Sequence, residues 1–475
     1  MDDLDFMKTT REIEKEIKTT EELIARAGQL KDVLRRDPHR PTYHFMPESA
    51  WMNDINGAIF WKGRYHLFYQ CNPDGAYWSN MQWGHASSVD LVHWQHHPIA
   101  LTPTLDGPDR DGCFSGGALL SKDGVPTLIY YGVPDGVCIA TSGDDLLIHW
   151  TKHPDNPVIA QPKVGELDFG RYTIHDPCAW LAGDTYYALV NRSAREGQGD
   201  GAFLFRSEDL VHWEFVSLFY ESERRWTQAD EDCAVPDFFP LGDEHMLLFA
   251  SHLQGTQYYL GHLEDERFVP RTHSRMSWSG GQLGGPRTLL GPDDRRIFFD
   301  WIAECRGPDD QRASGWSGVM TLPRSLFFGR EGALHIEPSP ELNVLRMNGC
   351  AHRDIHLASD GTFAPADVQG DCLELAVEML PAGGQEFGIK VRCSPDGLEE
   401  TAIFFDVTCN ALKIDVSKSS LDKSIRYPYY RDVKALDQLE QEARFVTVQE
   451  APFELSAGEA LHLRVFIDRS VLEVF

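Results

Sequence analysis

A chain of 475 residues is long enough for about two to four domains and a sizeable core. Its net charge of −29 excludes the basic patches that nucleic acid or phosphate-rich partners require, and suits a neutral ligand. No apolar run reaches the length of a transmembrane helix, so no membrane partner is expected.

The N-terminus begins Met1-Asp2-Asp3-Leu4-Asp5, without the basic start and apolar stretch of a signal peptide, which predicts a cytoplasmic protein. Residues 1–37 read as a helical extension: Ile13, Ile17, Leu23, Ile24, Ala27, Leu30, Val33 and Leu34 fall near a 3.6-residue period. Thr19 to Glu22 has the form of a capping box that would divide it into two helices, and Pro38 and Pro41 end it. Ten cysteines are scattered without paired or zinc-like spacing, the pattern of thiols in a reducing compartment. Neither a metal nor a cofactor is expected.

Residues 38–325 read as short strands joined by tight turns. Five hairpin patterns recur about every 50 to 60 residues: Gly57 to Gln70, Gly116 to Gly132, Pro177 to Val190, Pro236 to His252 and Gly285 to Trp301. A second signature falls between them. Asp90-Leu91-Val92-His93-Trp94 returns as Asp145-Leu146-Leu147-Ile148-His149-Trp150, one residue longer, and as Asp209-Leu210-Val211-His212-Trp213. Repeated four-strand units predict an all-β fold, a five-bladed β-propeller in which each blade buries faces it could not bury alone. Residues 326–346 read as a connector. Residues 347–475 alternate like a β-sandwich, and the sequence stops at Val471-Leu472-Glu473-Val474-Phe475 inside a strand pattern, which reads as truncation.

Carboxylates stand at the head of the repeats. Asp54 precedes the first hairpin, Asp111 the second and Asp176 the third, while Asp230-Glu231-Asp232 and Asp237 bracket the fourth. Equivalent positions of successive blades surround one axis, so these acids are expected to share a pocket. Taken alone, Asp54 between Asn53 and Asn56 and beside Gly57 has the chemistry of a turn residue. As the first of a series, it suits a nucleophile held ionised by neighbouring N–H donors. Paired carboxylates with separated pKa values are what glycoside hydrolysis needs.

At these residues the chain resembles glycoside hydrolase family 32, the invertases and fructanases. The motifs are Trp51-Met52-Asn53-Asp54-Ile55-Asn56-Gly57, Phe68-Tyr69-Gln70-Cys71-Asn72-Pro73, Trp83-Gly84-His85-Ala86 and Phe114-Ser115-Gly116-Gly117. The resemblance implies a propeller followed by a sandwich, and retaining cleavage of a β-fructofuranoside such as sucrose or a short fructan. It implies Asp54 as nucleophile, Asp176 as transition-state stabiliser, and a fourth-blade Glu as acid/base. Asn53, Gln70, Trp78, Phe114 and Ser115 would line the fructosyl pocket, with Arg287 at the fifth blade's pocket position.

Two departures stand out. The family's Arg-Asp-Pro is His175-Asp176-Pro177 here, so hydroxyl recognition by a fixed cationic fork is replaced. The family's Glu-Cys-Pro-Asp corresponds to Glu231-Asp232-Cys233-Ala234-Val235-Pro236-Asp237, and an ungapped alignment puts Ala234 at the acid/base position. A bulge would restore a carboxylate there. Glu231 is favoured for its length and type, with Asp232 and Asp230 left open. The alternatives are a fructosyl transferase or hydrolase of another furanoside, and a sugar-binding propeller without catalysis. The expected partner is a small carbohydrate; oligomeric state is not readable from the sequence.

Overall fold

The computed structural model of the chain describes residues 33–475 apart from 35, 192–198, 223, 279, 282, 304, 331, 382, 424, 426–445 and 457. The helical extension expected over 1–37 therefore lies outside the described residues up to 32. Val33, Leu34 and Arg36 are helical, and Asp37 N–H bonds the Val33 carbonyl at 3.1 Å.

Five sheets form the blades; the innermost strand of the first contains Asp54, and those of the second, third and fourth begin just after Asp111, Asp176 and Asp232. The innermost strands are Ala50–Trp61, Gly112–Leu120, Cys178–Ala182, Ala234–Leu241 and Arg287–Leu290. Each blade is an antiparallel meander built outward from its innermost strand. The first hairpin turns at Lys62 (φ 47) and Gly63 (φ 79), two residues in the left-handed region, as a tight two-residue hairpin requires. Innermost strands touch in the order first, second, third, fourth, fifth and back to the first, so the ring is closed. A further strand, Trp316–Ser317, lies parallel to Ala50–Trp51 and clasps the fifth blade region to the first blade.

The Asp-Leu-x-His-Trp signature is a turn before each outer strand. Leu91 (φ 62), Leu147 (φ 55) and Leu210 (φ 69) are left-handed, and their carbonyls accept the indole N–H of Trp94, Trp150 and Trp213. Asp90 and Asp209 receive the following backbone N–H groups. In the second blade Asp144 does this, not Asp145, so the repeat carries two extra residues there.

The propeller extends beyond residue 325. Arg324–Phe328 and Leu334–Pro338 are the outer strands of the fifth blade, so residues 326–338 are blade and not connector. Leu326, Phe328, Leu334 and Ile336 pack with Phe239, Leu241 and Met246 of the fourth blade, and that apolar burial holds them in the sheet. What remains of the connector starts with the 3₁₀ turn Pro340–Leu345.

The second domain packs a three-stranded sheet (Cys372–Met379, Leu461–Asp468, Val471–Val474) against a four-stranded one (Glu386–Val391, Thr401–Asp406, Ala411–Asp415, Val448–Pro452). Ile403, Phe405, Leu461, Leu463, Val465 and Ile467 fill the space between. A buried polar junction ties this domain to the propeller. Asp468 accepts the backbone N–H groups of Thr42, Tyr43 and His44 and the His44 ring, while Glu473 takes the other His44 nitrogen, Leu322 N–H and Arg324.

Candidate active site

The innermost strands are irregular where the acids sit. Register shifts fall between Met52 and Gly57 in the first blade, Cys113 and Gly116 in the second, and Ala234 and Asp237 in the fourth. A bulge re-aims side chains that simple alternation would send to a blade face. In the third blade the turn is made by Asp176 itself, at φ 37, a conformation Asp tolerates better than most residues.

Asp54 is 9 % exposed, and Ser115 Oγ donates to its Oδ2 at 2.8 Å. With the Asn56 amide turned to satisfy both its ends, Nδ2 donates to Ser115 Oγ at 3.2 Å. Its oxygen then accepts from Gln70 N–H, Gln70 Nε2 and Trp83 Nε1 at 2.9–3.0 Å. Gln70 Nε2 also donates to the Cys113 carbonyl at 2.9 Å. Asn56 thus reaches Asp54 through Ser115. Asn53, the other flanking amide, accepts from Trp51 Nε1 at 2.8 Å. Asp54 Oδ1 is buried with no hydrogen-bond partner, and so stays available to a substrate. Gly285 (φ +105) backs it: a Cβ there would sit 2.8 Å from both Asp54 Cα and Cγ. Only glycine combines that backbone angle with that approach.

Asp176 lies within the field of Asp54. Its residue surface is partly open, yet its carboxyl group is deep enough that burial, followed by repulsion from Asp54, pushes it up to about 7. His252 and Arg287 pull the other way, and Asp232 adds repulsion. Asp54, Asp176, Asp232, His252 and Arg287 therefore meet in one place, from blades one, three, four and five. Arg287 is 2 % exposed and donates to the Pro236 carbonyl at 2.6 Å and to the Gly116 carbonyl, cross-bracing the fourth and second blades beneath the acids.

An aromatic wall runs from the first to the third blade. Trp78 meets Phe114 edge-on at 5.8 Å, Phe114 meets Tyr131 at 5.9 Å, and Tyr131 meets His175 at 5.2 Å. Stacked edges of this kind offer an apolar face to a sugar ring while polar groups converge opposite.

The other acids at the heads of the blades have different surroundings. Asp230 is exposed. Asp237 accepts from Thr288 N–H at 2.7 Å and Thr288 Oγ1 at 2.8 Å, joining blades four and five. The second blade contributes Ser115, which donates to Asp54. Glu231 is 1 % exposed, with Oε1 accepting from Gln228 N–H at 2.8 Å and Oε2 from Gln257 Nε2 at 2.6 Å. Burial raises it, and these bonds offset part of that rise. Asp232 accepts from His252 N–H at 2.9 Å and His252 Nδ1 at 2.6 Å. Burial alone would raise Asp232, but the His252 ring and these bonds hold it below the usual carboxylate range. Ala234, the position given by ungapped alignment, is 2 % exposed and packs with Val235 and Ala250.

Three residues of the site lie outside the set read from the sequence. Asn56 was within a quoted motif and could have been taken from it. Tyr131 and His252 carry no motif; Tyr131 stands near the end of its blade's second strand and His252 just past the end of its own, and only blade equivalence points to them.

The N-terminal domain of glycosyl hydrolases family 32 matches residues 44–338, and the family's C-terminal domain matches residues 341–475. Sucrose-6-phosphate hydrolase of Zymomonas mobilis subsp. mobilis is 30% identical over 464 residues, spanning 92% of this chain and 83% of that protein. Raffinose invertase of Escherichia coli is 30% identical over 460 residues, spanning 92% of this chain and 86% of that protein. Among solved structures, fructan 1-exohydrolase IIa of Cichorium intybus superposes with a TM-score of 0.74 at 26% identity, covering 92% of this chain and 89% of that one.

Proposed function

Since the chain belongs to glycosyl hydrolases family 32 and is a glycosidase acting on β-fructofuranosides, we propose that Asp54 and Asp176 carry a retaining double displacement on a small fructoside such as sucrose. The observation that carries this reading is the buried pair itself, one carboxyl group donated to by Ser115 and the other pushed up by burial and then by repulsion from the first.

Asp54 Oδ1, held without a protein partner, attacks the anomeric carbon of the fructosyl unit. The bond to the leaving oxygen breaks as the bond to Asp54 forms, and water later displaces Asp54 with net retention. Ser115 keeps the other oxygen oriented, and Asn56 and Gln70 keep Ser115 oriented. Asp176 accepts hydrogen bonds from ring hydroxyls, which strengthen as positive charge develops on the sugar. Trp78 and Phe114 provide the apolar face, with His175 in place of the family's arginine at the edge of the wall.

The test is release of fructose from sucrose, sucrose 6-phosphate and short fructans, by the wild type and by Asp54→Asn. Turnover by the wild type is expected, with a loss of about 10³-fold or more in the variant. Equal activity of the two proteins, or no turnover of any of these sugars, would sink the reading. The net charge of −29 favours sucrose over its phosphate ester.

A further inference from the structure

We propose that the proton donor of this site is His252, acting through Nε2 and positioned by Asp232, in place of a glutamic acid. The inference rests on the double-displacement reading above, which requires a proton donor for the leaving oxygen and names none.

Three groups at the head of the fourth blade compete for the task. Glu231 has both oxygens engaged, one by Gln228 N–H and one by Gln257 Nε2, and it is 1 % exposed. Gln257 is itself held by His273 Nε2 at 2.8 Å, so this carboxyl group closes a buried structural network. Asp232 lies just ahead of the bulge that holds Val235 at φ 48; its side chain is 8 % exposed and both its oxygens face His252. The His252 side chain is 53 % exposed. A carboxylate can only accept, so the proton on this ring sits on Nδ1, toward Asp232, and Nε2 is the nitrogen that exchanges protons. The arrangement repeats the logic by which an aspartate orients a catalytic imidazole. Asp54, Asp176 and Arg287 are the other charged groups in this field, and Arg275 acts on the adjoining Glu231. The acids favour imidazolium, and Arg287 opposes it.

In the first step Asp54 bonds to the anomeric carbon, the electron pair of the breaking bond goes to the leaving oxygen, and the Nε2 proton moves to that oxygen. In the second step water attacks, its proton returns to Nε2, and Asp54 leaves as carboxylate.

The experiment compares His252→Gln, Asp232→Asn and Glu231→Gln with wild type, on sucrose and on p-nitrophenyl β-fructofuranoside, whose leaving group needs little protonation. For His252→Gln, kcat/KM on sucrose should fall by about 10²-fold or more, with a far smaller fall on the aryl fructoside. Added azide should restore its turnover and yield fructosyl azide. Asp232→Asn should move the alkaline limb of the kcat/KM profile down by about one pH unit, because the imidazolium loses its counter-charge. Glu231→Gln should keep the wild-type ratio between the two substrates even if it melts earlier. The proposal is overturned if His252→Gln hydrolyses sucrose with wild-type rate and pH profile, or if Glu231→Gln alone shows aryl selectivity and azide rescue. Wild-type activity on sucrose, abolished by Asp54→Asn, keeps either outcome separate from failure of the double-displacement reading.

Discussion

Asp176 is held at φ 37 between His175 and Pro177, with its carboxyl group pushed up to about 7. A carboxyl group raised in the folded state binds a proton that the unfolded chain has already lost between its ordinary value of about 4 and about 7. Folding stability therefore declines as pH rises through that window and stays lower above it. Replacing the acid by its neutral isostere, Asp176→Asn, should relieve this. The variant should melt higher than wild type at pH 8, by the equivalent of about 2–4 kcal/mol, with the gap closing near pH 4. Thermal melts at the two pH values measure it, while activity falls. At this scale the sequence exposed much of the pocket: Asp54, Asp176, Ser115 and Gln70 stand in motifs whose spacing marks them. His252 was hidden because Asp232 holds it from twenty residues away, and no local pattern encodes such a contact.

The blades owe their geometry to two recurring local devices. A bulge in the first innermost strand holds Asp54 and another in the second holds Ser115, and Asp-capped left-handed leucines precede three of the outer strands. Both have a sequence trace, but register does not follow from it. In the second blade the signature was aligned on Asp145, whereas Asp144 receives Leu146, Ile148 and His149 N–H. Losing a carboxylate that caps several backbone donors costs about 1–2 kcal/mol. Asp144→Ala should therefore destabilise by about that amount and Asp145→Ala by no more than about 0.5 kcal/mol, as read from thermal melts of the two variants. The same limit applied to the fifth blade. Pro338 and Pro340 look like a linker, yet residues up to 338 stay in the sheet because Leu334 and Ile336 find apolar partners on the neighbouring blade.

Across the whole molecule, the junction of propeller and sandwich is built from buried charge. Burial disfavours the His44 cation, but bonds to Asp468 and Glu473 outweigh it and carry the ring up to about 8; Glu473 is held down to about 2. The His44 contribution is present in full below its ordinary value of about 6.5 and is lost as pH rises through 8. That of the carboxylates is present above about 4.5 and is lost as pH falls toward 2. The junction is thus strongest near pH 5 to 6 by these shifts. His44→Gln should destabilise by about 3 kcal/mol at pH 6, because it breaks a buried pair, and by much less at pH 9; melts of both proteins at the two values test it. The amino-acid sequence by itself determined the repeat, the strand periodicity and hence the closed ring of blades, because burial of apolar faces is written in local alternation. It also showed acids at the heads of the first four blades. Only the tertiary structure decided which of them share a field, since that depends on bulges and on side chains from different blades. So it is the fold that leaves Glu231 inside a blade and turns Asp232, with His252, toward Asp54 and Asp176.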